Sequence, residues 1–332
     1  MNRKSTTPTT KEHWLQMRKR NLNSTEISAL FDVNPYLTEF ELWHQKKDDA
    51  MAPFEENERM IWGTLLEPAI AERAAMKMNW MHRPMKDYYE LPDLRIGSSF
   101  DFRIVEVNPE KSTPTKRWLD TVATMEIKNV DYLQFYKKWV VEETEDGSDE
   151  STIEAPPHIE IQVQVQMLVS GLKKVYICAL VGGNDLKIIE RQANPEMQQI
   201  ILDRCAEFWK SIDENCQPAI DYNKDSSFLI SLYGTAEQDS AKSIDDFEQK
   251  EVLTDLVQSY INNRENAKLL EEKKDRYKAQ ILEIIGDTHK VKGGEWSISA
   301  GNIDPVEIKA HVRSGRRDFR INKKSKKASN DE

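Results

Sequence analysis

Apolar positions along the 332-residue chain change period several times, and each change marks an element. From Glu58 to Met78, Trp62, Leu65, Leu66, Ala69, Ile70 and Ala74 fall close to i, i+3, i+4, i+7 spacing, which predicts a helix with these residues on its buried face. Between Lys11 and Lys47 the pattern predicts short helices broken at Asn34-Pro35-Tyr36. Residues 80–130 predict strands near 80–90, 95–106 and 119–130. A turn-rich connection with two prolines spans 107–118. Strands near 174–182 and 186–192 and a helix over 195–215 follow. Ile161 to Gln166 alternate apolar and polar, the period of a strand, although Pro156-Pro157 just ahead suits a helix start. Beyond residue 241 a highly charged stretch with Val252, Leu253, Leu256, Tyr260, Leu269, Leu270, Tyr277, Ile281 and Ile285 reads as one or two long amphipathic helices to about residue 286. Short β-like pieces at Trp296–Ile298 and Val306–Ile308 come after it.

This division suggests a loose polar tail (1–10), a main α/β domain (11–222), a helical and short β appendage (241–310) and a basic tail (311–332). Hydrophobic residues make up 39% of the chain, enough for a packed core. No apolar run approaches a membrane span, and the N-terminus lacks the apolar stretch of a signal peptide. Three cysteines with no Cys-x-x-Cys pair argue against a disulfide framework or structural zinc and for a reducing cytoplasm; they read as buried, small apolar residues. A net charge of −10 is unlike a nucleic-acid coat protein, but it suits an enzyme with carboxylates at its centre.

The β-rich segment holds the candidate chemistry. Alternation puts Glu126 and Lys128 on one face of a strand and Met125 and Ile127 on the other, toward a core. If the strand bearing Asp101 pairs with it, two carboxylates converge where a hard cation could bind, with the Ile127 carbonyl as a further ligand and Lys128 beside a water. Glu-x-Lys alone is a weak signal. It recurs at Glu248, Glu271 and Glu272 in the charged helical stretch, and at Glu307 beside Asp304, which sits on the same strand but would face the opposite side. An ordinary exposed Glu–Lys pair is the competing reading.

The order of motifs resembles the phage lambda exonuclease and YqaJ-type viral recombinase family of the PD-(D/E)xK nuclease superfamily. The matching residues are Trp14, Arg18, Ser24-Thr25, Asn34-Pro35-Tyr36, Gly63-x-x-x-Glu67, Ser99-Phe100-Asp101, Glu126-Ile127-Lys128 and Gln162-x-Gln164 with Met167, ending at Gly171. The resemblance covers roughly residues 11–215. It implies a restriction-endonuclease-like α/β core, a mixed central sheet flanked by helices, and a helix over about 157–171, which is preferred here to the strand. It implies Asp101, Glu126, Ile127 and Glu67 as metal ligands, Lys128 as the group that positions the attacking water, and Gln162 as part of the catalytic wall. Arg18, Thr25 and Gln164 are implied at the 5′-phosphate and DNA. The implied activity is Mg²⁺-dependent 5′-to-3′ exonucleolysis of double-strand DNA ends, with two Mg²⁺ ions, or Mn²⁺ in their place. It would leave 3′ overhangs for a single-strand annealing partner, within a homo-oligomer in the cytoplasm of a bacterial host. The chain departs from the pattern at Phe102 and Asp32, where Gly is usual, at Thr25, where Ser is usual, and in the 24 residues between Asp101 and Glu126.

Two rivals stand beside this reading: a related endonuclease and a non-catalytic DNA-binding scaffold. Blander roles are expected for several other residues. Trp14, Trp43, Trp62 and Tyr36 read as packing residues and His82 and His158 as loop or edge residues, whereas for Arg18, although it lies in a basic cluster, phosphate contact is preferred to a solvated face. The basic run from Arg313 to Lys327 reads equally as a contact to DNA backbone or as a solubilising end.

Overall fold

The computed structural model describes residues 1–47, 57–142, 152–236 and 241–302. The acidic stretch at 143–151, the Glu307-Ile308-Lys309 decoy and the basic tail lie outside the described residues.

In chain order the elements are β1 (Lys4–Thr6), α1 (Lys11–Arg20), β2 (Leu22–Asn23), a 3₁₀ turn (Ile27–Phe31), α2 (Glu39–Lys47), α3 (Glu58–Met78), β3 (Met81–Pro84), β4 (Tyr88–Leu91), β5 (Ile96–Ser98), β6 (Phe102–Val107) and β7 (Leu119–Val130). Then come α4 (Tyr132–Lys138), β8 (Val140–Glu142), β9 (Thr152–Glu154), α5 (Pro157–Ser170), β10 (Lys174–Val181), β11 (Asp185–Gln192), α6 (Pro195–Asp213), α7 (Tyr222–Leu232), α8 (Lys250–Ile285), β12 (Lys290–Lys292) and β13 (Ser297–Ser299). They form two compact units, Met1–Phe228 and a second beginning at Leu229.

The first unit is built on a mixed five-stranded sheet of order β11-β10-β7-β6-β3, in which only the β7–β10 pair is parallel. Alternation along β7 divides its side chains. Met125 and Ile127 pack with Phe102, Ile104 and Cys178 against Ile70, Ala71 and Ala74 of α3. The opposite face, through Val175, Ile177 and Ala179 of β10, packs on Ile159, Val163 and Met167 of α5, on Phe135 of α4 and on Trp139 just after it. This is the mixed α/β core flanked by helices that the sequence led us to expect.

A smaller sheet of order β1-β4-β5-β2 lies on the far side of α5. Ile161, Val165 and Leu168 of α5 pack there with Leu91, Ile96 and Phe208. Helix α5 is therefore covered on several faces, which explains its sequence: a helix with no solvent face carries apolar residues all round, and their alternation with glutamines imitates a strand. Pro157 opens the helix, and Gly171, with φ +77°, closes it in the left-handed conformation.

Four expectations need correction. The N-terminal residues are not simply loose, because β1 pairs with β4 and Lys4 reaches the buried Glu90. The predicted strands 80–90 and 95–106 are each split, by residues 85–87 and 99–101. Helix α3 has the expected bounds, but Trp62 (55% exposed) and Leu65 lie in solvent, because only its second half meets the sheet; Tyr36 is exposed too. Cys178 and Cys205 are buried, whereas Cys216 is exposed.

Asp32 adopts φ 58°, ψ 23°, the left-handed conformation that explains why Gly suits this position. Gly97 is needed for a different reason. A Cβ there would overlap the Tyr88 ring and hydroxyl, and that hydroxyl donates to Asn23 Oδ1 at 2.8 Å. Gly97→Ala is expected to destabilise the protein by about 1–3 kcal/mol, the usual cost of overpacking. Urea unfolding measures it, and an unchanged midpoint would contradict this packing account.

In the second unit α8 runs 36 residues, and β12 pairs antiparallel with β13. An apolar cleft of about 710 Å³ lies between α8 and the hairpin, lined by Leu270, Tyr277, Ile281 and Ile298. Among the described residues no helix is long and apolar enough to cross a membrane.

Candidate active site

Strands β6 and β7 pair antiparallel with Phe102 opposite Met125, so Asp101, one residue before β6, arrives beside Glu126 and Ile127. The extra length between Asp101 and Glu126 is taken up mainly in the 108–118 loop, closed by Asn108 N–H donating to the Trp118 carbonyl. Asp101 Oδ2 accepts from the Ile127 N–H at 2.8 Å.

Glu126 is the most enclosed member, with its side chain 5% exposed. Lys128 Nζ and Gln162 Nε2 each donate to its Oε1 at 2.6 Å, and Gln166 Nε2 donates to its Oε2 at 2.6 Å. Lys128 Nζ also donates to Gln162 Oε1 at 3.2 Å, so a single amide bridges the carboxylate and the ammonium and its orientation is fixed. The Lys128 side chain is 25% exposed.

Charge crowding is the dominant electrostatic feature. Burial first, and then the charge of Glu126, hold the Asp101 carboxyl well above the ordinary range; Lys128 and the Ile127 N–H only partly offset this. Glu67, on α3, is raised by burial and by Glu126, with Lys128 opposing. For Lys128, burial disfavours the ammonium, but Glu126, Asp101 and Glu67 outweigh it and hold the pKa up. Glu67, Asp101, Glu126 and Lys128 therefore share one electrostatic neighbourhood.

Arg18 and Thr25 also meet. Arg18 Nη2 lies 3.4 Å from both Thr25 Oγ1 and Glu26 Oε1, and its guanidinium stands 4.9 Å from the centre of the Trp14 ring. Trp14 Nε1 donates to Ser99 Oγ at 2.9 Å, two residues before Asp101, which ties the Arg18 corner to the carboxylates. Gln164 does not join either group. Helical geometry turns it away from Gln162, and it instead donates to the Gln192 carbonyl and accepts from the Asn194 N–H where β11 passes into α6.

Gln166 was not among the residues expected at the site. The helical assignment held its signal, since 162 and 166 are four apart and share a face. His158 lies a further turn back on the same face. Its pKa is pushed down to about 4 by burial and by the charges of Lys128 and Lys138, and its ring meets Tyr36 edge-on. It is thus a helix residue of the site wall rather than a loop residue.

The donor set suits a hard divalent cation: carboxylate oxygens of Asp101 and Glu126, with Glu67 near, and Gln166 Oε1 buried without a hydrogen-bond partner. Among the described residues no three Asp, Glu, His or Cys side chains already stand in metal-site geometry. Mg²⁺ typically takes only one or two carboxylates, with water and substrate phosphate completing its shell, and Asp101 and Glu126 supply that number.

Residues 13–173 match the YqaJ-like viral recombinase domain. The uncharacterized protein YqaJ of Bacillus subtilis (strain 168) is 24% identical over 239 residues, which cover 71% of this chain and 66% of that protein's own length. Among solved structures, the alkaline exonuclease LHK-Exo of Laribacter hongkongensis aligns with a TM-score of 0.44 at 15% identity, over 66% of this chain and 98% of the other. A phage related exonuclease of Haemophilus somnus 129PT aligns with a TM-score of 0.38 at 14% identity, over 63% and 89%. The segment that matches the YqaJ-like viral recombinase domain contains the carboxylate cluster, Lys128, the glutamine face of α5 and the Arg18–Thr25 corner.

Proposed function

We propose that this protein is a divalent-cation-dependent deoxyribonuclease that degrades duplex DNA from 5′ ends and leaves 3′ overhangs. The observation that carries the proposal is the crowding of Asp101, Glu126 and Glu67 around Lys128, with Gln162 and Gln166 holding Glu126. Such an arrangement has an excess of negative charge that a cation and a phosphodiester could share.

Asp101 and Glu126 would hold the cation, with Glu67 and the Ile127 carbonyl completing its surroundings or those of a second ion. When bound, it would supply positive charge against the scissile phosphate and ease ionisation of water. Lys128 orients the attacking water through its Nζ, and Gln162 keeps that Nζ aimed by accepting from it. Gly63, one turn before Glu67 on the same face of α3, leaves open space, since a Cβ there would meet nothing within 4 Å. Mg²⁺ is the expected ion and Mn²⁺ an acceptable substitute.

Arg18 and Thr25 would receive the terminal 5′-phosphate, a guanidinium and a hydroxyl being suited to phosphate oxygens. Arg18→Ala should therefore slow attack on 5′-phosphorylated ends by about ten- to hundredfold, the worth of a charge-assisted hydrogen bond, and affect 5′-hydroxyl ends much less. Initial rates on the two ends measure this, and an equal loss on both would remove the pocket role. Covalently closed circles should resist the enzyme; cutting them would favour an endonuclease, and metal-independent binding without cleavage would favour a scaffold. Cytoplasmic action beside a single-strand annealing protein, and self-association, complete the proposal. The apolar residues along α8 and the cleft beside it offer a surface for such partners.

A further inference from the structure

Beneath Arg18 lies a buried ion pair that the chemistry above does not use. Lys46, at the end of α2, has its side chain only 4% exposed. Its Nζ donates to Glu26 Oε2 at 2.6 Å, to the Asn21 carbonyl at 2.8 Å and to the Arg18 carbonyl at 3.1 Å, which uses all three of its protons. The same Glu26 oxygen accepts from the Asn23 N–H at 3.0 Å and from Asn23 Nδ2 at 2.9 Å. The other oxygen faces Arg18 Nη2 at 3.4 Å, beyond ideal hydrogen-bond length.

The charges in this corner are two cations and one anion, a net of +1. The short contact belongs to Lys46 and the long one to Arg18. Lys46 thus balances Glu26 from below, and the guanidinium keeps its charge for another anion. Without Lys46, Glu26 would be a carboxylate only 15% exposed with one cation in reach, and the Arg fork, which binds carboxylate and phosphate by the same geometry, would close on it.

We propose that Lys46 is a positioning residue that acts through Glu26 to keep Arg18 available to a terminal phosphate; this rests on the Arg18–Thr25 reading above. The sequence gives little sign of it, because Lys46-Lys47 resembles an ordinary basic helix end. The pair also anchors α2 to the carbonyls at the end of α1, so simple destabilisation has to be separated from the electrostatic role.

The test compares initial rates on linear duplexes with 5′-phosphate and 5′-hydroxyl ends, as a ratio, for the wild type, Lys46→Met, the double variant Glu26→Gln/Lys46→Met and Lys46→Arg. Folding is checked for each by circular dichroism and thermal melting. Lys46→Met should lower the ratio by roughly ten- to hundredfold, one charge-assisted hydrogen bond to phosphate. The double variant, which removes the competing carboxylate, should recover the ratio even though both of its substitutions disturb the buried pair. Lys46→Arg should keep most of it. A merely structural Lys46 would instead leave the double variant as poor as the single. A folded Lys46→Met with an unchanged ratio, or a folded double variant that recovers nothing, overturns the relay while the phosphate pocket stands. A wild-type ratio of one sinks the pocket and the relay with it.

Discussion

Replacing Glu126 by Gln is expected to lower the rate of duplex hydrolysis by about a thousandfold or more, corresponding to roughly 4 kcal/mol of transition-state stabilisation. The side chain keeps its size, but the charge shared by Lys128 and the proposed cation is gone. Two amides, from Gln162 and Gln166, already donate to this carboxylate, and a third amide cannot accept from all of them as the carboxylate does. Single-turnover cleavage at saturating metal measures the effect. A variant that retains more than a tenth of the wild-type rate would mean that Glu126 is a structural acceptor and not a ligand.

Asp101→Asn should separate stability from activity. Burial and Glu126 raise the Asp101 pKa well above its ordinary value of 3.8, so the folded protein keeps a proton that the unfolded chain releases. Folded Asp101 thus binds more protons than unfolded Asp101, and the resulting stabilisation is complete below the unfolded value and lost as pH rises through the folded one. In chelator, the wild type should therefore lose stability with rising pH across that window. Asp101→Asn should lack this component and melt higher at neutral pH, by about 2–4 °C, the shift that 1 kcal/mol gives a domain of this size. Mg²⁺ should reverse the order, because a ligand at 100 times its Kd adds about 2.7 kcal/mol to a protein that binds it. Melting curves at several pH values, with and without Mg²⁺, decide this. A variant that is less stable in chelator would show that Asp101 serves the fold as a carboxylate.

Much of the site could be read from the chain because it lies on regular elements. Period-two geometry at Met125–Lys128 separates the charged from the packing side chains, and the structure realises that division with Ile127 on α3 and Glu126 on α5. Helix α3 was legible in its bounds but not in its buried face, since periodicity shows where apolar residues gather and not whether another element covers them. Helix α5 misled by periodicity for the opposite reason, being covered between two sheets; the family resemblance and Pro157 gave the right answer. Gln164 was placed near the site by the resemblance alone, whereas the four-residue spacing of the helix puts Gln166 on the face of Gln162. The Lys46–Glu26 pair depends on a contact twenty residues apart between side chains of ordinary type, and only the folded chain brings it into view.

The most direct test of the nuclease reading is digestion of linear duplex DNA labelled at one 3′ end, with Mg²⁺ and with chelator. The account predicts that Mg²⁺ permits loss of nucleotides from both 5′ ends, while the 3′ label stays on the single-stranded remnant of its strand. Intact duplex in Mg²⁺ at enzyme excess, or equal degradation in chelator, would contradict it.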